Sequence, residues 1–412
     1  MLFPKSNSKE KKENTALMIV ILILSIPCFA LSLVHNGFLS LLPFVRDDFL
    51  LTRSQIGYYS TFIFISASLL AIFTGDIVDK FGPKKSVIAG IISMSFLWLL
   101  YGFSVNYNML LFLALIAGIG FSIITPSVNK GVMLAVSPGK RAISMGITQM
   151  GFGLGGILGT SFLPLLARIY GWRFAVQIAA IFAMITGVLV FKYYQEVDIQ
   201  QKTIIESDKK DTQKSFKENL CFIIKNKKLL KICIVGTIFG ISVGAVLPHF
   251  SVFLTEDLRL AVTSAGLAFA IMQLGGIISR PFWGWVSDKI FKGNRNISLF
   301  VIGISIGIVY LLFAFFISLM QGNLFITFLF SFLLGCTSSG WAGVHFVSVV
   351  EFAGDKLAGI ATGLSLVFLR IGMLAAPPIF GFIADINGNY QFCWLTFGIF
   401  ITIVSFLFLQ KD

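Results

Sequence analysis

The sequence predicts an all-α membrane protein of about twelve transmembrane helices. Three observations carry that reading: the composition, the length of the apolar runs, and the sorting of basic residues onto alternate connectors. Of 412 residues, 56% are hydrophobic and 12% charged, and the mean hydropathy is +0.89. A soluble domain carries roughly 25% charge, so water cannot be the main solvent of this surface. In hydrocarbon, backbone groups must be satisfied within the element, which leaves helices or a closed barrel. Barrel strands are short and alternate. Here the runs are near-continuous, as in Leu17–Ser25, Ile88–Leu100, Leu110–Phe121 and Leu299–Phe316, and a spanning helix needs about 20 apolar residues.

Breakers and polar stretches place the spans at 16–44, 55–74, 86–104, 108–135, 142–167, 172–192, 230–253, 262–286, 297–318, 324–352, 357–383 and 391–409. The first apolar stretch is too long for the h-region of a signal peptide and lacks a small-residue cleavage site, so it reads as span one. One connector is long and polar: 193–229 carries Glu196, Asp198, Asp208, Lys209, Lys210, Asp211, Lys214 and Lys217 among others. It divides the chain into an N-terminal bundle (1–192), a linker (193–229) and a C-terminal bundle (230–412). Of the 32 Lys and Arg, 24 fall on the termini, the linker with its edges and the even-numbered connectors. Five (Arg46, Arg53, Arg168, Arg173, Arg259) fall on or at the edge of the odd-numbered ones, and three lie inside spans, away from their ends. That bias predicts both termini and the linker in the cytoplasm of a multi-pass protein of the bacterial inner membrane. It accounts for the net charge of +13 without nucleic acid. Five cysteines (Cys28, Cys221, Cys233, Cys336, Cys393) form no metal spacing and no disulfide framework. No metal and no cofactor is expected.

The halves look related. Spans two and eight both end in Gly-x-x-x-Asp-Lys, as Gly75…Asp79-Lys80 and Gly284…Asp288-Lys289, and similar segments follow spans four and ten. Repeats of this kind build a central site between two bundles, so the expected architecture is two six-helix bundles related by a pseudo-twofold axis. The stretch Gly75-Asp76-Ile77-Val78-Asp79-Lys80-Phe81-Gly82-Pro83-Lys84-Lys85 resembles the signature loop of the major facilitator superfamily, with only Pro83 departing from the usual form. Gly171-Trp172-Arg173 before span six and Arg141-Ala142-Ile143-Ser144-Met145-Gly146 entering span five are similar to segments of the same family. The resemblance implies a secondary transporter with spans one, four, seven and ten lining a central cavity. It also implies that Gly75, Asp79, Lys80, Gly82, Lys84, Lys85, Gly284 and Asp288 act in a gating loop that latches the two bundles. Two departures weaken a drug-antiporter reading. Ala114 stands where the family's fourth-span arginine would fall. Gly146, Gly155 and Gly159 keep the fifth-span glycine spacing, but Thr160 replaces the proline.

A charge inside a span is costly and marks a functional hypothesis. The bases there are Lys130, Arg280 and Arg370; the histidines are His35, His249 and His345; no carboxylate lies deep. Three cations without an anion disfavour a cationic substrate and call for a bound anion, and an arginine fork suits a carboxylate. The segment Ser279-Arg280-Pro281 resembles the eighth-span segment of monocarboxylate transporters, where the arginine binds the carboxylate, although Gly276 stands where those proteins carry an aspartate. Lys130 can equally pair with Asp79. Arg370 lies near the midplane. The expected substrate-binding residues are Arg370, Arg280, Lys130, His345, Asn129 and Gln149, and His35, His249 and His345 are candidates for a coupling proton.

The resulting expectation is a monomeric transporter, embedded in lipid, that moves a small organic anion, a monocarboxylate for example, with protons by alternating access. The alternatives are an exporter of amphipathic drugs or metabolites and, from another class, a transporter-like membrane sensor. No Walker loop is present, and no catalytic constellation points to an enzyme.

Overall fold

The computed structural model describes residues 8–137, 141–194, 226–354 and 358–409. Helix is the only regular structure among them. Eleven helices are long and apolar enough to cross a membrane, and twelve if the bent pair Arg53–Ala71 and Phe73–Phe81 is one span. Spans one to six are Ser8–Ser40, Arg53–Phe81, Pro83–Tyr101, Tyr107–Ala135, Arg141–Tyr170 and Trp172–Tyr193. Spans seven to nine are Lys227–Glu256, Val262–Trp285 and Arg295–Phe315. Span ten is broken into Leu324–Ser338 and Ala342–Ala353, and spans eleven and twelve are Ala358–Asn387 and Gln391–Ser405. A short helix, Leu42–Phe49, follows span one. Most of the predicted linker lies outside the described residues.

The ends of these helices follow from local chemistry. Asn106, Asn226, Asn294 and Asn323 each accept a backbone N–H of the first turn of the span that follows. Thr52 and Gln55 form a reciprocal capping box at the start of span two. Gly82, at φ +83°, reverses the chain between spans two and three, and Pro83 opens span three.

Span two departs from the sequence expectation. Gly75 to Phe81, read as a loop, continue the helix, so Gly75, Asp79 and Lys80 are helical and only Gly82 breaks the chain. Lys84 and Lys85 belong to the first turn of span three. The second copy is helical too: Gly284 lies in span eight, and Asp288 in the π-helical turn Val286–Ile290 that extends it. The helix bends between Ala71 and Phe73, about one turn before Gly75, with 64° between its two segments. Two side chains act at the bend. Thr74 donates to the Ala71 carbonyl at 2.9 Å, and Arg370 donates to the Ala67 carbonyl at 2.8 Å, both of which loosen the helical ladder.

The two halves repeat one packing scheme. Span one packs on five, two on four and three on six; seven packs on eleven, eight on ten and nine on twelve. Across the halves, span two meets span eleven and span five meets span eight. Within the first half, a Cβ on Gly151, Gly155 or Gly159 would press on the Ser25, Phe29 or Leu33 carbonyl of span one. These glycines, four residues apart, let two backbones touch along three turns, the small-residue packing expected in lipid.

Candidate functional site

Among the described residues, the boundary between the halves is closed at one end and open at the other. At the end bearing the Leu42–Phe49 helix, a Cβ on Gly57 would lie 2.5 Å from the Pro377 backbone. Gly381 abuts the Arg53 backbone, and Gly266 abuts the Thr160 carbonyl. Toward the opposite end, which bears Gly82 and the start of span seven, Gly75, Gly146, Gly284 and Gly363 would meet nothing within 4 Å. Gly57 and Gly75, Gly266 and Gly284, and Gly363 and Gly381 are each eighteen residues apart, five helical turns, which puts the second and third pairs each on one face, while the first pair spans the bend in span two. The halves therefore touch along one end of spans two, five, eight and eleven and part toward the other.

Polar groups fasten the closed end. Glu256, ending span seven, pairs with Arg46 and with Arg53 Nη2, the latter at 2.8 Å. Asp385, ending span eleven, accepts the backbone N–H groups of Arg53 and Ser54 at 2.8 and 2.9 Å and the Ser54 hydroxyl. A carboxylate of one half thus caps the helix N-terminus of the other, where orphan donors and the helix dipole favour it. Arg53 also donates to the Ala384 carbonyl at 3.0 Å and stacks on Tyr390. Ser251 donates to the Leu39 carbonyl at 2.8 Å, tying span seven to span one. Deeper in, Pro378 cannot donate to the Leu374 carbonyl, and Thr61 of the other half takes that carbonyl at 2.8 Å. The sequence reading missed this network. Its one visible signal was that the acids Glu256, Asp257 and Asp385 lie at connectors on the same predicted side of the membrane as Arg46 and Arg53.

The predicted bases fall into three environments. Lys130 forms an ion pair with Asp79 inside the first half, one of the two arrangements the sequence left open, and the pair fastens span two to span four. Asp288 does the same in the second half. It pairs with Arg295 at 2.6 Å, and Arg295 also holds Glu351 at 2.9 Å. Arg370 points across the boundary from span eleven and donates to the Ala67 carbonyl of span two. Arg280 is different. It is accessible and has no acid partner or hydrogen bond among the described residues.

Helix geometry settles which way Arg280 faces. Gly266, Gln273, Ile277 and Arg280 share one face of span eight, and the first three contact Thr160, Gly156 and Gly153 of span five. The exposed apolar residues Leu267, Leu274, Ile278, Phe282 and Trp285 occupy the other flank. Arg280 therefore faces the first half, not lipid. In the antiparallel register set by Gly153 with Ile277 and Gly156 with Gln273, Gln149 is level with Arg280 and half-buried. Asn129, also half-buried, sits on span four beside Lys130.

The histidines are buried within single halves. His249 is hydrogen-bonded at both nitrogens, by Nε2 to the Pro377 carbonyl at 2.8 Å and by Nδ1 to the Tyr390 hydroxyl at 3.2 Å. His345 Nε2 meets the Ser365 hydroxyl at 2.7 Å, which links spans ten and eleven. His35 sits among Tyr59, Phe64 and Phe121 with Nδ1 unpartnered. Beside His345, span ten is interrupted at Ser339–Trp341, and two indoles take up the carbonyls: Trp283 donates to Cys336 at 3.0 Å and Trp341 to Ser338 at 2.7 Å. Interrupted helices at membrane depth are tolerated where protein re-satisfies the backbone. No group of three or more His, Cys, Asp or Glu suited to a metal occurs among the described residues.

This arrangement, two six-helix halves meeting at four helices and closed at one end, is that of a carrier. The chain is 23% identical over 370 residues to the hexuronate transporter of Bacillus subtilis (strain 168), covering 86% of this chain and 85% of that one. It is 22% identical over 359 residues to multidrug resistance protein 2 of the same organism, covering 84% of each. In fold it is similar to the crystal structure of a point mutant of the nucleoside transporter NupG, with a TM-score of 0.78 at 15% identity over 95% of this chain and 99% of that one. The family model described as Major Facilitator Superfamily matches residues 24–250 and 232–412. With nearly its whole length inside those matches, the chain belongs to the major facilitator superfamily, a family of membrane transporters and not of enzymes.

Proposed function

We propose that the protein is a proton-coupled secondary transporter of a small organic anion in a bacterial inner membrane, with both termini cytoplasmic and a single chain as the working unit. The observation that carries this reading is Arg280: a base on the wall between the halves, accessible, facing inward, and without an acid partner among the described residues. Arg370 on span eleven stands on the second wall, where one guanidinium nitrogen holds a carbonyl and the remaining donors stay available to a ligand. A carboxylate entering between them gains charge-assisted hydrogen bonds that water otherwise supplies. The hexuronate carrier among the relatives is named for such an anion, whereas the multidrug relative supports the efflux reading. The interior bases favour the former. Exchange of the proton falls to the histidines, and His249 and His345, both bonded to span eleven, are the two placed to feel movement of that helix.

The test is uptake of glucuronate into proteoliposomes, with a panel of small carboxylates and amphipathic cations alongside. Arg280→Ala should weaken saturable anion uptake about 10- to 100-fold, the loss of one charged hydrogen-bonding partner. Arg370→Lys should retain more activity than Arg370→Ala, since a point charge replaces part of the fork. Transport of the cations alone, unchanged in Arg280→Ala, would sink the proposal in favour of efflux.

A further inference from the structure

Three polar side chains from both halves converge at the midpoint of spans five and eight. A Cβ built on Gly156 of span five would lie 2.8 Å from Gln273 Nε2, 3.1 Å from Ser32 Oγ and 3.2 Å from Asn36 Nδ2. Ser32 and Asn36 stand one turn apart on span one, and Asn36 donates to the Ser32 hydroxyl at 2.8 Å. Gln273 comes from span eight of the opposite half. Its amide makes no hydrogen bond to a described residue, and Asn36 and Gln273 are both half-buried. An amide held at membrane depth without partners is costly, and the missing side chain of Gly156 lets Gln273, Ser32 and Asn36 crowd against one point of span five.

The cluster contains no acid and no base. Two amides and a hydroxyl each combine donors with acceptors, the complement of an alcohol rather than of an ion. Gln273 and Arg280 lie two turns apart on one face, roughly 10 Å along the helix. The tilt of helical side chains toward the N-terminus inclines Arg280 back toward Gln273. A single small molecule can then present a carboxylate to Arg280 and hydroxyls to the amides.

We propose that Asn36 and Gln273, with Ser32, form a subsite for the hydroxyl groups of the substrate, which makes that substrate a polyhydroxylated organic acid of the sugar-acid class rather than a simple monocarboxylate. The inference rests on the anion reading above and narrows it. Gly156 lets the three polar groups come together, and the amides, one from each half, read the hydroxyls only when both halves engage the same molecule.

The experiment is thermal-shift titration of the purified full chain with glucuronate and with hexanoate, which matches it in carbon number and charge but lacks hydroxyls. The wild-type protein should bind glucuronate at least about tenfold more tightly than hexanoate. Gln273→Met and Asn36→Leu should each weaken glucuronate by about tenfold, the scale of one or two neutral hydrogen bonds, and leave hexanoate unchanged. A purely structural role for the amides would instead lower the melting temperature of the free protein and leave the preference between the two acids intact. Equal wild-type affinity for the two acids, or wild-type glucuronate affinity in Gln273→Met, overturns the subsite. Loss of both acids in Arg280→Ala would then still uphold the anion reading. If neither acid shifts the wild-type protein, both fall.

Discussion

Asp257 is the residue where burial and bonding work against each other. It follows span seven, is largely withdrawn from water, and accepts the Tyr390 backbone N–H at 2.7 Å. Burial raises its pKa above the ordinary carboxylate value; the Tyr390 N–H and the nearby Arg53 charge oppose that rise and do not cancel it. A raised carboxyl pKa means that the folded protein holds the proton more tightly than the unfolded chain, so ionisation at neutral pH costs stability, and the cost is relieved as pH falls through the folded pKa. Asp257→Asn keeps an acceptor for Tyr390 without the charge. Its melting temperature at pH 7 should equal or exceed that of wild type, and the gap should close as the pH is lowered into the carboxylate range. A lower melting temperature at pH 7 would show that the charge is held by more than that N–H. At this scale the sequence was legible only in part. Arg280 and Arg370 stand out as charges in apolar runs, but Gln273 and Asn36, neutral and single, do not, and nothing local shows that residues some 240 positions apart share one point. Arg53 meets Glu256 and Asp385 across separations of 203 and more than 330 residues; only the folded chain supplies those pairs.

At the scale of the element, hydropathy located the spans because a helix in lipid must be long and apolar whatever it packs against. Its ends were legible to within a few residues, as at 172–192 against Trp172–Tyr193 and 262–286 against Val262–Trp285. Interruptions were not. Span ten reads as one apolar run, yet Ser339-Gly340-Trp341 break it, because Trp283 and Trp341 offer indole N–H groups that make the break inexpensive. The bend in span two was hidden likewise, since Gly75 and the polar residues after it look like a loop while the backbone remains helical. Glycines in span five divide by their surroundings. A Cβ at Gly155 would collide with the Phe29 carbonyl and one at Gly146 would touch nothing. Gly155→Leu should therefore sharply reduce recovery of monodisperse protein on size-exclusion chromatography, and Gly146→Ala should leave it unchanged, with a small gain in stability from the higher helix propensity of alanine. Equal recovery of the two variants would mean that spans one and five are not held by that contact.

For the whole molecule, the closed end combines ion pairs, a cross-half helix cap and backbone contact, whereas at the other end Gly75, Gly146, Gly284 and Gly363 stand clear of any neighbour. In a membrane oriented with the termini inside, cysteines placed at Gly75 or Gly363 on a cysteine-free background should react with an impermeant thiol reagent from the cytoplasmic side. Glu256→Gln removes the partner of both Arg46 and Arg53 and should slow labelling at Gly363 from the cytoplasmic side, a shift in the balance between two states rather than a loss of fold. Labelling at Gly363 from the outside alone would reverse the assigned orientation.

The eighteen-residue spacing of Gly57 with Gly75, Gly266 with Gly284 and Gly363 with Gly381 has a consequence for what a substitution can reveal. Each helix carries one glycine pressed against its neighbour and a second, five turns along, standing clear. A rocking of the halves that separated the first set would bring the second toward contact. A methyl group at Gly57 should then penalise only the conformation described here, and one at Gly75 only its opposite. The two substitutions would push a single equilibrium in contrary directions, so combining them should restore a balance that either one alone upsets.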